Sequence, residues 1–262
     1  MSETLGVLLD GSFPDDNPIL FNDNLNSWDP SALMIVDALD DYSWAGGPAV
    51  NGSALNNLVD GRAGAAASGA ISVDANGWFN GGAVEGYFNT NAAGMSLATT
   101  TPSFLFLMWV KVKSGNAFPG TGSTFYGLGG YAANTSSLSA FALTLQLQGA
   151  ASSAFAINIS GTTLNIGPAV IGEATQIAGS AVYNGTNYTI KAFRNGVQTN
   201  AATAAYPLKD PGNANYARLG RVVGLSVGEF SYARAALSQL SDDVDPAAVI
   251  ARDWAENAAR FA

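Results

Sequence analysis

Residues 104–113 read Phe-Leu-Phe-Leu-Met-Trp-Val-Lys-Val-Lys, almost continuously apolar at first and then alternating. Such a run is far too short to span a bilayer, and its pattern marks a central strand buried on both faces. Once one strand is buried on both faces, layers must cover it from either side. The neighbouring segments supply partners of the same kind. In residues 141–148, Phe141, Leu143, Leu145 and Leu147 alternate with Ala142, Thr144, Gln146 and Gln148, and residues 155–159 repeat the period with Phe155, Ile157 and Ile159. Residues 180–183 lead into Asn184-Gly185, and residues 188–194 into Asn195-Gly196. Both pairs suit hairpin turns that need positive φ at their central residues. Further strands are predicted over residues 82–89, 216–223 and 228–234. The period then changes. Asp245-Pro246 supplies an N-cap and a first-turn proline, and Ile250, Trp254, Ala258 and Phe261 recur at helical spacing. The fold class expected is all-β: an antiparallel β-sandwich with an irregular N-terminal arm and a short C-terminal helix.

The arm follows from charge. Residues 1–60 hold ten acids and no Lys or Arg, so the whole excess behind the formal net charge of −9 lies there. Leu5, Phe13, Ile19, Phe21, Leu25, Trp28 and Met34 are nonetheless too many apolar groups for a solvated tail, while Pro14, Pro18 and Pro30 interrupt long regular elements. Residues 45–80 are Gly- and Ala-rich with turn signals at Asn51-Gly52, Asp60-Gly61 and Asn76-Gly77, and the alanine run at 63–70 reads as loop between strands. The domain organisation expected is an acidic assembly arm over 1–60, the sandwich over 61–244 and the helix over 245–262.

With charged residues at only 12% of the chain, much of the surface falls to Ala, Gly, Ser, Thr and Asn, a weakly solvated surface suited to contact with other protein. A duplex nucleic-acid partner needs clustered Lys and Arg, which the chain lacks. No membrane insertion is expected, and the first residues lack the pattern of a signal peptide. The chain has no Cys and no His, which removes Ser-His-Asp and Cys-His nucleophiles and imidazole or thiolate zinc sites.

Residues Ala181-Val182-Tyr183-Asn184-Gly185, followed by Ile190-Lys191-Ala192-Phe193-Arg194-Asn195-Gly196-Val197, resemble the paired strands of concanavalin A-like, laminin-G-type jelly rolls. In that family a "vYdG" turn precedes a "lyvNG" hairpin. Arg218-Leu219-Gly220-Arg221 and the stretch from Phe230 to Ser238 resemble its closing strand with the "raLS" turn, and Trp109 matches the tryptophan of its "sftisaWvk" strand. The resemblance runs over roughly residues 65–240. It implies that the all-β fold is an antiparallel jelly-roll β-sandwich of lectin-like kind. Two departures touch ligand chemistry: Gln176, Ile177 and Ala178 stand where the family has Trp-x-His, and Asn184 replaces the turn Asp. An inherited calcium site therefore has no support, and no cofactor is expected. Asp15 and Asp16, or Asp37, Asp40 and Asp41, match no EF-hand loop and read as solvated acidic loops.

The family's glucanases place two carboxylates on one strand, as in an E-x-D-x-E run, and no strand here carries one; Glu85 has no acid two or four residues away. No catalysis is expected. The sparse charge, the acidic arm and the leaderless start resemble structural proteins of tailed phages. The first expectation is thus a phage virion protein, a capsid decoration or a tail or fibre component, made in the host cytoplasm and contacting other virion proteins and copies of itself. The alternative is a carbohydrate-binding or host-receptor-binding module with surface glycans as partners; a glycoside hydrolase ranks last. For glycan contact the candidates are Trp78, Phe79, Tyr126 and Tyr131, aromatics in or beside Gly-rich loops. For assembly contact they are Phe13, Phe21, Trp28 and Trp44, because aromatics dominate interface hot spots.

Overall fold

Residue Val110, near the end of the run that opened the sequence argument, is fully buried, and so are its six predecessors from Phe104 onward. In the computed structural model, two layers account for this, one on each side of the strand. The structure describes residues 32–59, 61–82, 84–90, 103–113, 125–131, 143–148, 154–159, 161–205, 217–222, 225 and 228–262. The expected contacts of Phe13, Phe21 and Trp28 fall outside that range.

Among the described residues the strands are β1 (Ala32–Asp37), β2 (Ala54–Leu55), β3 (Ala65–Ser68), β4 (Phe79–Gly81), β5 (Tyr87–Thr90), β6 (Ser103–Val112), β7 (Phe125–Tyr131) and β8 (Leu143–Gln148). They continue with β9 (Ala154–Ile159), β10 (Thr162–Pro168), β11 (Ala174–Tyr183), β12 (Tyr188–Arg194), β13 (Val197–Ala204), β14 (Ala217–Leu219) and β15 (Phe230–Leu240), and a helix, α1 (Pro246–Phe261), follows. Seven strands form one sheet in the order β1-β15-β6-β11-β12-β13, with β4 also pairing along β15. Eight form the other in the order β10-β9-β8-β7-β14-β5-β3-β2. Every strand pairing is antiparallel.

Alternation along β6 sorts its side chains. Phe104, Phe106, Met108 and Val110 point between the sheets, where they join Ile157, Ile177, Tyr232 and Leu237 in the main core. Leu105 and Leu107 point the other way and meet Ala178, Phe193, Ala236, Val249 and Ile250 in a second core beneath α1. The molecule is therefore three layers deep: sheet, sheet, helix. Burial of a Leu- or Phe-sized group is worth about 1.5–3 kcal/mol, so the helix adds several such increments that a bare sandwich lacks.

Residues 32–59, read from sequence as part of an arm, are joined to the sheets. Strand β1 pairs with β15 from Ala32↔Ser238 to Asp37↔Arg234, and all six of its residues are buried. The alanine run read as loop contains β3, which pairs with both β2 and β5. Gly64 sets that approach, because a Cβ there would overlap the Leu55 carbonyl oxygen. The two Asn-Gly turns also differ. Asn195 (φ 51°) and Gly196 (φ 78°) both adopt the left-handed region expected of a two-residue hairpin turn. At the other, only Gly185 does so, while Asn184 Oδ1 accepts hydrogen bonds from the Thr186 and Asn187 amides at 3.1 and 2.9 Å.

Helix α1 begins as its sequence predicts, with Pro246 in the first turn and Asp245 Oδ1 accepting from the Ala247 amide at 3.0 Å. Its buried stripe is rotated from the expected one. Ile250, Asp253, Asn257 and Phe261 face the sheet, and Trp254 and Ala258 are only partly buried. A polar pair at the centre of a buried stripe has a cause in the sheet below, set out next.

Candidate functional site

Arg234 stands in the middle of β15 with a side chain 1% exposed. Its Nε donates to Asp253 Oδ1 at 2.8 Å and its Nη1 lies 3.4 Å from Asp37 Oδ2. Asp253 Oδ2 accepts from Trp109 Nε1 and from Gln176 Nε2, each at 2.8 Å, and Asp37 Oδ2 accepts from Arg260 Nη1 at 2.9 Å. Burial pulls the Arg234 guanidinium toward neutrality, yet the charges and hydrogen bonds of Asp253 and Asp37 outweigh it, and its pKa ends above the ordinary value. Gln176 joins three elements: Oε1 accepts from the Gly196 amide at 2.8 Å and Nε2 also reaches the Ile250 carbonyl at 3.1 Å. Only the outer guanidinium, Arg260, meets solvent, so the cluster fastens α1 to the sheet and leaves no room for a ligand. Its sequence signal is a lone Arg flanked by small apolar residues in a strand, together with Asp253, Asn257 and Arg260 at helical spacing.

Three of the predicted glycan contacts, Trp78, Phe79 and Tyr126, do not lie at a surface. Trp78 is 2% exposed, edge-on to Phe261 and capped by Lys111 Nζ 4.5 Å from its ring centroid. Phe79 and Tyr126 are each 1% exposed, and Phe79 sits among Trp44, Phe88 and Tyr232. Trp44, expected at an assembly contact, is 8% exposed and packs edge-on against Phe79 and Phe88. These rings are core: Phe79 of β4, Tyr126 of β7 and Trp44 from the segment after β1 are buried among core residues, and Trp78, just before β4, lies beneath Phe261 of α1. The side chain of Tyr131 is outside the described residues. Tyr232 is buried as well, and burial, with the Glu85 charge, pushes its phenol far above its ordinary range. The acids Asp37, Asp40 and Asp41 do not converge: Asp37 is held by the arginines, and Asp40 Oδ1 accepts from the Tyr42 and Ser43 amides. Among the described residues no cluster of three acids is arranged to hold a metal ion.

A surface site does exist, elsewhere. Where β2, β3 and β5 run side by side, the outward face of the eight-stranded sheet carries a groove of about 590 Å³. Its geometry comes from register. Ala54 lies opposite Ala66, and Ala66 opposite Asn89, so a cross-strand row begins with two methyl groups and ends on an amide. The in-between residues Leu55, Ala65, Ala67 and Phe88 point into the core. Small outward side chains keep the floor low, and Asn51, Asn56, Ser68 and Asn89 line it with hydrogen-bonding groups. Asn89 Oδ1 is buried and accepts no hydrogen bond. An orphaned acceptor of this kind costs about 1–3 kcal/mol, which a ligand donor would recover once the amide turns toward the groove. Continuing the row, Arg218 of β14 lies directly opposite Asn89, with its guanidinium 4.7 Å from the Tyr87 ring centroid. Sequence reasoning missed this groove because none of its lining residues is aromatic.

No family model matches the chain, and no curated protein matches it. Solved structures do. A mutant of Trypanosoma rangeli sialidase displaying trans-sialidase activity superposes with a TM-score of 0.57 at 8% identity, over 87% of this chain and 33% of that one. The receptor-binding domain of botulinum neurotoxin C/D mosaic serotype gives 0.56 at 9% identity, over 87% of this chain and 51% of that one. The binding domain of serotype D gives 0.56 at 9% identity, over 88% and 53%. The chain thus spans between a third and about half the length of the proteins it resembles. At these identities the likeness is one of fold, and the class it defines is the antiparallel β-sandwich domain. One expectation is corrected here. The expectation of no catalysis does not stand: sialidases are enzymes, so this sandwich also occurs within catalytic chains, and the missing His, Cys and E-x-D-x-E run do not rule catalysis out. The virion expectation draws no support from these structures.

Proposed function

We propose that the protein is a carbohydrate-binding module that receives a saccharide in the groove over β2, β3 and β5. The observation that carries this reading is the buried, unpartnered Asn89 Oδ1 on the groove wall. Sugar hydroxyls are donors of the right kind, and a low floor of Ala54 and Ala66 suits the flat apolar face of a pyranose. The resemblance to a toxin's receptor-binding domain and to a sialidase supports the same class of ligand. Binding to a glycan array by the whole chain is the test. Asn89→Ala is expected to weaken binding on the order of tenfold, the factor corresponding to the loss of one well-placed hydrogen bond in a dry site. Ala66→Phe, on an outward strand position that tolerates an aromatic, fills the groove and is expected to abolish binding with the fold intact. Glycan binding untouched by both changes would place the site elsewhere and overturn the proposal.

A further inference from the structure

We infer that the groove prefers acidic saccharides, those bearing a carboxylate or sulfate, and that Arg218 reads the acidic group; this rests on the groove being the saccharide site. Leu219 is buried in the core, so its neighbour Arg218 faces outward on the same side as Asn89, its cross-strand partner. The guanidinium lies over the Tyr87 ring, a contact that engages the face of its plane and does not consume the N–H donors at its edge. Among the described residues Arg218 forms no ion pair, whereas Arg194, Arg234, Arg252 and Arg260 each have a carboxylate partner.

The groove's lining contains no charged side chain of either sign, although the chain carries a net charge of −9, and Arg218 stands just beyond it, one strand past Asn89. Distance decides which charge a ligand feels. At physiological salt the Debye length is about 8 Å, so acids elsewhere on the surface are largely screened, while an arginine one strand beyond Asn89, at the groove's edge, is not. Asn89 and Arg218 therefore offer, side by side, an acceptor for a ring hydroxyl and a planar donor fork for an anion. A sugar carrying a carboxylate or sulfate beside a free hydroxyl matches both at once, and the guanidinium can take either anion through two parallel hydrogen bonds. A neutral sugar satisfies only the Asn89 half.

The test uses the full chain on an array of paired oligosaccharides, each acidic member (sialylated, uronic or sulfated) printed beside its neutral counterpart, at about 0.15 M salt. The expected result is binding to acidic members at least about tenfold stronger than to their neutral partners. Arg218→Gln is expected to erase that gap and keep the weaker neutral binding, and Arg218→Lys to restore part of it. Should Arg218→Gln fail to fold, salt titration of the unaltered protein serves instead: the acidic preference is expected to shrink as salt rises toward 0.5 M. Equal binding of acidic and neutral partners, a gap that survives Arg218→Gln, or a preference indifferent to salt would each overturn the inference and leave the saccharide proposal standing. Binding to no member of the array would overturn the saccharide proposal and the inference with it.

Discussion

Removing the Asp253 carboxylate is the sharpest probe of how the helix is held. Four donors converge on it: Arg234 Nε and Asn257 Nδ2 at Oδ1, and Trp109 Nε1 and Gln176 Nε2 at Oδ2. Asp253→Ala leaves Arg234 buried with only the longer 3.4 Å contact to Asp37, and strands the Trp109 indole N–H. Breaking a buried ion pair from one side costs about 3–5 kcal/mol, and an orphaned buried donor about 1–3 kcal/mol more. Because Asp37 still partners Arg234, the lower end applies, and we expect a loss of about 4 kcal/mol. Asp253→Asn is the finer test. An amide keeps the shape but offers one acceptor oxygen, and its NH2 points donors at donors, so about 2–3 kcal/mol should still be lost. Urea unfolding followed by tryptophan fluorescence measures both, with Trp109 stacked on Trp254 at 5.1 Å as a local reporter of helix docking. If Asp253→Asn unfolds within about 0.5 kcal/mol of the unaltered protein, the carboxylate is not what fastens the helix, and the reasoning fails.

Other expectations follow from single positions. Gly179 faces the inter-sheet core, where a Cβ would overlap the Ile157 side chain, so Gly179→Ala should cost about 1–3 kcal/mol in the same unfolding assay. Gly196 has φ 78° and a Cβ there would meet Trp254 Cβ at 3.0 Å, so Gly196→Ala should cost about 1–3 kcal/mol through backbone strain and crowding. Tyr232 predicts a pH effect. Its folded pKa is raised by burial and by Glu85, so the unfolded chain ionises first once pH passes about 10, and stability falls from there by up to about 1.4 kcal/mol per pH unit. Tyr232→Phe should flatten that alkaline limb of a stability–pH curve; an unchanged slope would refute the assignment.

What the chain disclosed before folding depended on whether a signal was local. The alternation of residues 104–112, the N-cap at Asp245 and the left-handed pair Asn195-Gly196 are local, and each appears where its chemistry demands. Strand β3 was not legible, because four small residues (Ala-Ala-Ala-Ser) carry no β-branched or aromatic preference; pairing with β5 creates it. The burial of Asp253 was hidden for the same reason, since its justification, Arg234, sits on another element. Trp78 and Phe79, in a Gly-rich stretch, look exposed until α1 and the sheets close over them, and Trp44, beside the acidic arm, looks like a docking anchor until Phe79 and Phe88 pack on it. The groove is the furthest from sequence: Ala54, Ala66, Asn89 and Arg218 are unremarkable apart and become a site only through cross-strand register.

The helix-covered face of β6 has a consequence for synthesis. Trp109 and the Asp253 that receives its indole N–H are 144 residues apart. At about 5–20 residues per second, a ribosome needs roughly 7–29 s to make that interval. For that time the outer side of the most apolar strand, with Leu105, Leu107 and Trp109, lacks its helix, and for most of it β15, its partner along the full length, does not yet exist. A nascent chain in this condition exposes the kind of segment that chaperones capture and that aggregates nucleate on. Production of soluble protein should therefore respond to slower translation or to chaperone supply before it responds to changes in the finished fold.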